Sequence, residues 1–442
     1  MPRLCCRPVR NAPAIRDAAV PGDVTGPTAR RVQRHTLIVL SLTQIIGAVG
    51  SGVVPSVGVL LAEQVTESPV WAGLARTGST LGAAAAGLPL AALAVRHGRR
   101  WSLGTGWTVA AAGTALLVLA AQMSNLILLI VGLFITGVGS AAQLQARFAA
   151  TDLAAPAGKG RALSTVVWVG AIGSVLGPNL GGPGQWLARL LGLTDMAGAF
   201  LLAVGFLLAS GIVTALWLRP DPLLYATRLA TASPSPSPSP VPGTGHRRRA
   251  GLGEIAAICR TDRAALLALV AIITAQAVMV TVMTMAPVQM SHHGGSLTVV
   301  GLSISLHILG MYGLAPVSGL VCDRFGTPAG ILIGIVLFLA SSTLTLVDDA
   351  DLTAVAVALV LLGLGWSFMS VAGSAGLSRA VTDHSRARVQ GLADTASNAA
   401  AAIGAFIGGP LMAVAGYDGL GVLAAAALIP VGVILGRSRR ER

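Results

Sequence analysis

Twelve stretches of this chain are each long and apolar enough to cross a hydrocarbon layer. They run at about 36–62, 71–95, 101–121, 126–150, 163–187 and 197–218, then at about 264–290, 298–321, 329–347, 352–377, 389–415 and 419–436. At about 1.5 Å per helical residue, some 20 residues span the ~30 Å apolar layer of a bilayer. Lipid offers no partner to backbone N–H and C=O groups, so such runs fold as helices. Only 11% of residues are charged, against about 25% in soluble globular chains, and mean hydropathy is +0.77. The expectation is an all-α integral membrane protein, embedded in a lipid bilayer and functional as a monomer.

The formal net charge of +13 does not point to nucleic acid, because of where the basic residues lie. With the N-terminus placed in the cytoplasm, 28 of the 30 Lys and Arg fall in cytoplasmic segments, and only Arg76 and Arg189 lie toward the outside. This is the positive-inside asymmetry of membrane proteins. It predicts a multi-pass protein of the plasma (inner) membrane with both termini cytoplasmic. Cys5, Cys6, Cys259 and Cys322 form no metal or disulfide pattern, and all four fall on the side where thiols stay reduced.

The runs group as six plus six. Residues 1–35, rich in Arg and Pro, read as a disordered basic tail. Residues 36–218 form one bundle, 219–263 a cytoplasmic linker, 264–436 a second bundle, and 437–442 a basic tail. The linker carries a Ser-Pro run at 233–240 and Arg247–Arg249, a composition that favours an extended, water-exposed spacer. The halves repeat. Arg147 maps onto Arg379, and Gly177-Pro178 onto Gly409-Pro410, both at an offset of 232. Thr151-Asp152 maps onto Thr382-Asp383 at 231. A charged turn, GLVCDRFG at Gly319–Gly326, is matched 228 residues earlier by AVRHGRR at Ala94–Arg100. Duplicated halves in transporters enclose a substrate site at their interface.

This six-plus-six pattern, with DRFG after the eighth run and RHGRR after the second, resembles the major facilitator superfamily over residues 36–436. The family's turn motif, G-x-x-x-D-R-x-G-R-R, is matched in the second half by Gly319, Asp323, Arg324 and Gly326. The first copy keeps Arg96, Gly98, Arg99 and Arg100 but has Val95 for the acid and Ala91 for the first glycine. Gly173, Gly177, Pro178, Gly181 and Gly182 match the fifth-helix signature of the superfamily's drug/proton antiporters, with Ser164 at its first glycine. Small residues four apart allow close helix approach, and Pro178 breaks a helical hydrogen bond. The resemblance implies that this helix gates the two halves. It also implies a proton-coupling arginine in the fourth helix, where this chain has Leu133. By the same resemblance the two turns act as conformational latches. Asp394 is expected to meet Arg96 or Arg99, and Asp323 the start of the fifth helix.

Candidates for the cavity follow from polar residues placed within apolar runs, which are costly there. They are Gln44, Arg147, Trp168, Gln276, Met283, His307 and Trp366. Arg147 continues the stripe Thr136, Ser140 and Gln143, so it either lines a cavity or anchors a helix end by pairing with Asp152. His307 either couples protons or packs as a neutral side chain. His292-His293 reads as a solvated pair. The chain has no phosphate-binding loop, metal-ligand spacing or nucleophile triad, so no enzyme activity and no cofactor are expected, and a proton gradient is the expected energy source. The expected function is secondary active export of small organic molecules, in the manner of multidrug efflux. Uptake of a metabolite on the same fold and a non-transporting sensor remain as alternatives.

Overall fold

The computed structural model describes residues 26–155, 158–232, 262–380 and 383–440. The first half contains α1 (Pro27–Thr66), α2 (Pro69–His97), α3 (Arg99–Met123), α4 (Leu126–Ala149), α5 (Arg161–Leu191) and α6 (Asp195–Trp217). The second contains α7 (Arg263–His292), α8 (Leu297–Phe325), α9 (Thr327–Val347) and α10 (Leu352–Ala380). The last helical stretch, Asp383–Arg440, breaks at Gly416 (φ 69°, ψ −175°). That break divides it into α11 (383–415) and α12 (417–440), completing twelve membrane-capable segments. The architecture is therefore the all-α, twelve-helix membrane fold expected.

Helix starts are written locally. The Asp262 carboxylate accepts from Ala264 N at 2.7 Å, Asn125 Oδ1 from Leu128 N at 3.0 Å, and Ser296 Oγ from Val299 N at 3.3 Å. Each occupies backbone donors that a helix N-terminus leaves free. The two charged turns have the same backbone. Gly98 (φ 95°, ψ 169°) and Gly326 (φ 82°, ψ 163°) adopt a conformation that side chains with a Cβ rarely reach, so the duplication is visible in dihedral angles as well as in spacing.

Two sequence boundaries are corrected. Helix α1 starts at Pro27, not near residue 36. Pro27 presets the first helical turn, and side chains dock the added turns. Gln33 Nε2 donates to Ala150 O at 2.8 Å, and the His35 ring bonds Trp217 O at 2.8 Å. The linker likewise begins with a helix, Pro222–Ala232, capped by Asp221, whose Oδ1 accepts from Leu223 N and Leu224 N. The remaining tail (1–25), the Ser-Pro and Arg runs (233–261), Cys5, Cys6, Cys259 and residues 441–442 lie outside the described residues.

The termini of the two bundles, Gly98 and Gly326 lie at one face, called here the terminal face; the opposite one is the distal face. Four helices are interrupted along their length. They are α1 at the π-helical Val54–Gly58, α4 at Gly137, α5 at the 3-10 turn Gly177–Leu180 and α8 at Leu314. Pro55, Pro178 and Pro316 account for three of these, since each removes a helical hydrogen bond.

Candidate functional site

The halves meet along two seams. On α5, a Cβ at Gly173 would lie 2.3 Å from Ile45 O, and one at Gly177 would lie 2.6 Å from Gly52 Cα, so these glycines let α5 lie against α1. Its other face meets the second half. A Cβ on Gly301 of α8 would lie 2.4 Å from Pro178 O, one on Gly181 3.0 Å from Leu297 Cβ, and one on Gly182 2.9 Å from Thr298 Oγ1. The second seam, α2 against α11, repeats the first. A Cβ on Gly73 would lie 2.3 Å from Ala405 O and 3.3 Å from Gly409 N. Gly73 and Gly301 are 228 residues apart, Gly177 and Gly409 232 apart, so one helix crossing has been built twice.

These seams close the distal face. Asn179 Nδ2 donates to Ser305 Oγ at 2.6 Å, Ser305 Oγ donates to Val175 O at 2.5 Å, and the His292 ring bonds Glu63 Oε1 at 2.5 Å. Each contact crosses between halves. His292 is thus not a free surface histidine but half of a distal clasp between α7 and α1. Toward the terminal face the helices separate. The terminal part of α8, Ala315–Phe325, packs on α9 and α10 of its own half, and Pro27–Ser51 of α1 packs on α4, α5 and α6 of its own. Trp168 is seven residues before Val175 and so on the same face of α5. It is 62% exposed where Val175 is covered. The structure is therefore open at the terminal face and sealed at the distal face.

Within this cleft the halves contribute different chemistry. Arg76 of α2 lines a small cavity with Pro55 and Val59 of α1 and Val280, Met283 and Thr284 of α7. Arg147 of α4 places a buried Nε with no hydrogen-bond partner. Both guanidinium groups lie within electrostatic reach of the Tyr312 hydroxyl on α8. The Tyr312 ring meets Trp366 of α10 edge to face, with centroids 5.9 Å apart, and Trp366 Nε1 donates to Gln276 Oε1 of α7 at 2.7 Å. Among the described residues no carboxylate pairs with Arg76 or Arg147. A cation at the centre of a span costs about 2.5–3.5 kcal/mol on insertion scales; Arg76 lies in the distal third of α2 and Arg147 in the last turn of α4, where that cost is smaller, and among the described residues neither is offset by a carboxylate.

Of the residues singled out in the sequence, Gln276 and Trp366 meet beside Tyr312 and Met283 lines the small cavity with Arg76, while Arg147 carries a buried, unpartnered Nε and Trp168 lies exposed on α5. Gln44 is buried against α4, with Nε2 3.4 Å from Gln143 O and Oε1 unpartnered. His307 stands apart. It is fully buried in the α8–α10 packing, with Nδ1 2.7 Å from Leu359 O. A Cβ at Gly363 would lie 2.3 Å from its carbonyl oxygen, so it faces its own bundle and not the space between the halves.

The terminal turns are engaged within their bundles. Arg99 forms a bidentate pair with Asp152 (2.8 and 3.2 Å) and donates to Gln145 Oε1 at 3.0 Å. Asp152 is thereby paired with Arg99 and, among the described residues, not with Arg147. Asp221 Oδ2 accepts from Arg100 N at 2.8 Å, beside Gly98, where a Cβ would lie 2.3 Å from that carboxylate. An acid just beyond α6, at the start of the Pro222–Ala232 helix, thus stands against the turn that has Val95 in the acid's place. Arg96, Asp323 and Arg324 are exposed, Gly319 has open space around it, and the Asp394 side chain lies outside what is described. The pairing expected between Arg99 and Asp394 is not the contact Arg99 makes in this open arrangement.

Arg76 and Tyr312 also belong to the region of Met283 and Trp366, and neither is among the cavity residues expected from the sequence. A signal existed: Gln44 and Gln276, and Pro55 and Pro287, are each 232 residues apart. That repeat offset marks α1 and α7 as matched walls of one cavity.

Comparison with known proteins agrees with this architecture. The family model described as Major Facilitator Superfamily matches residues 39–293 and 267–442. The chain is 33% identical over 432 residues to the "Uncharacterized MFS-type transporter YdeG" of Bacillus subtilis (strain 168), covering 96% of this chain and 97% of that one. It is 28% identical over 405 residues to the riboflavin transporter RfnT of Brucella anthropi, covering 91% and 96%. Among solved structures, the nucleoside transporter NupG (D323A mutant) superposes with a TM-score of 0.63 at 14% identity, covering 91% of this chain and 99% of that one. A bacterial homolog of the human lysosomal transporter Spinster, in an inward-facing and occupied conformation, gives 0.62 at 16% identity over 92% and 97%. These two likenesses are of fold. With the twelve-helix duplicated fold, the family model and the relative covering nearly its whole length, the chain belongs to the Major Facilitator Superfamily.

Proposed function

We propose that the protein exports small organic molecules across the cell membrane by alternating access, exchanging them for protons. As a family member it is a multi-pass membrane transporter; direction, cargo and coupling are what is added here. The supporting observation is the asymmetry of the seams. The Gly173–Gly182 segment of α5 seals the distal face against α1 and α8 while the cleft stays open at the terminal face. That terminal face carries Arg30, Arg31, Arg34, Arg96, Arg99 and Arg100, the charge signature of the cytoplasmic side. A cleft loaded from the cytoplasm and shut by tight glycine contacts outside suits an exporter. Rocking the halves about the α5–α8 and α2–α11 crossings would close Trp168 toward α8 and release cargo distally.

Uptake of a metabolite on the same fold is the second reading. Leu133, buried in α4, occupies the place of the antiporters' arginine. One experiment separates them. Everted membrane vesicles containing the protein are given an inside-acid pH gradient and a panel of fluorescent organic solutes of each charge. Export by proton exchange predicts accumulation that collapses with an uncoupler. Efflux from preloaded everted vesicles supports uptake instead. No flux of any solute in either direction supports a sensor.

A further inference from the structure

We propose that the cleft selects organic anions that carry a flat ring, with Arg76 and Arg147 taking the anionic group and Tyr312 with Trp366 taking the ring. This rests on the transport reading above and names its substrate class. The positive side of the site comes wholly from the first half and the aromatic side from the second. Arg76 projects from the distal part of α2, into the small cavity it shares with Val280, Met283 and Thr284 of α7, and Arg147 from the terminal part of α4; the charges of both act on the Tyr312 hydroxyl. The Arg147 Nε is buried and unpartnered. Neither arginine has a carboxylate partner among the described residues, whereas Arg99, just outside the cleft, is fully engaged by Asp152 and Gln145. The cleft arginines are thus the ones left to be neutralised by a ligand. A guanidinium offers planar, paired donors that match a carboxylate or phosphate.

The ring-binding half is equally specific. Trp366 is held in orientation by its bond to Gln276 and by its edge contact with Tyr312. Tyr312 lies seven residues beyond Ser305 on α8, and Trp168 seven residues before Val175 on α5. Ser305 and Val175 touch, and the helices run in opposite directions. Seven residues advance a helix by about 10 Å and return to nearly the same face. Trp168 and Tyr312 therefore stand at the same level on facing helices, across the opened part of the seam. Closing the terminal face brings them together, so a flat ring lying on Tyr312 would be covered by Trp168. Binding the anion also joins the two halves, because its charge partners and its ring partners belong to different bundles.

Direct binding to the purified, nanodisc-embedded protein tests this apart from transport. The probes are 2-naphthoate, its neutral isostere 2-naphthamide, and cyclohexanecarboxylate, read by calorimetry and by quenching of tryptophan fluorescence. We expect 2-naphthoate to bind at least about tenfold more tightly than either other probe, as a charge-assisted contact implies. Arg147→Gln and Arg76→Gln abolish the preference over the amide, and Arg147→Lys, which keeps the charge without the fork, retains part of it. Trp366→Phe reduces the preference over cyclohexanecarboxylate. Melting temperatures of the variants verify that they fold. Equal binding of naphthoate and naphthamide, no binding of naphthoate, or an undiminished preference in both well-folded Arg→Gln variants would overturn the proposal. Flux in the vesicle assay alongside any of these results would leave the transport reading standing.

Discussion

At the scale of single residues, the molecule separates arginines that hold structure from arginines that face the cleft. Arg99 is 13% exposed and bidentate on Asp152. Its replacement by alanine leaves that carboxylate poorly satisfied, and the melting transition should show a loss of about 2 kcal/mol with ligand selectivity intact. Asp221 caps both α3 and the Pro222–Ala232 helix through backbone donors. Asp221→Ala should cost about 1 kcal/mol by the same measurement. Neither role could be read from spacing. Asp152 stands 53 residues from Arg99, and Asp221 stands 121 from Arg100; tertiary folding alone brings them together. Arg76 was obscure for a different reason. A membrane helix is apolar all round, because one face meets lipid and the other meets protein. Its periodicity then does not mark the face that lines a cavity. Only its neighbours from the second half, Val280, Met283 and Thr284, assign Arg76 to the space between the halves.

At the scale of elements, the glycine-proline breaks of α1 and α5 and the glycine crossings at α8 and α2 are the parts about which the proposed rocking would turn. The fifth-helix motif was legible in the sequence as a string, and the structure supplies its partners. Gly173 and Gly177 face α1, and Gly181 and Gly182 face α8. Adding a side chain to Gly301 would drive a Cβ to 2.4 Å from Pro178 O, and backbone cannot yield as a flexible side chain does. Overpacking of this kind typically costs about 1–3 kcal/mol, and here it falls on the closed distal seam alone. Gly301→Val should therefore populate the distally open state. A cysteine placed at Asn179 in that variant should react several-fold faster with a membrane-impermeant thiol reagent added from the distal side. Loss of the His292–Glu63 clasp in Glu63→Gln should act in the same direction with a smaller effect, since His292 is half exposed and one hydrogen bond contributes about 0.5–1.5 kcal/mol net.

At the scale of the whole molecule, duplication explains why the fold was readable and why the function was less so. Offsets of 228 to 232 recur in the turns, the seams and the α1–α7 walls, and a repeated six-helix unit leaves few other arrangements. The cleft breaks that symmetry. Arg76 has Ile304 at the matching offset of 228, and Tyr312 has Ala84. Chemistry that differs between the halves cannot be inferred from what they share.

In the proposed alternating-access cycle, transport requires the distal α5–α8 seam to open while the terminal cleft closes. The Asn179→Cys/Ser305→Cys double variant tests this directly, because the native side chains already touch at 2.6 Å across the seam. Oxidised to a disulfide, the protein should still bind ligand from the terminal face but lose flux in vesicles, and reduction should restore it. Undiminished flux through the fully cross-linked protein would contradict the account.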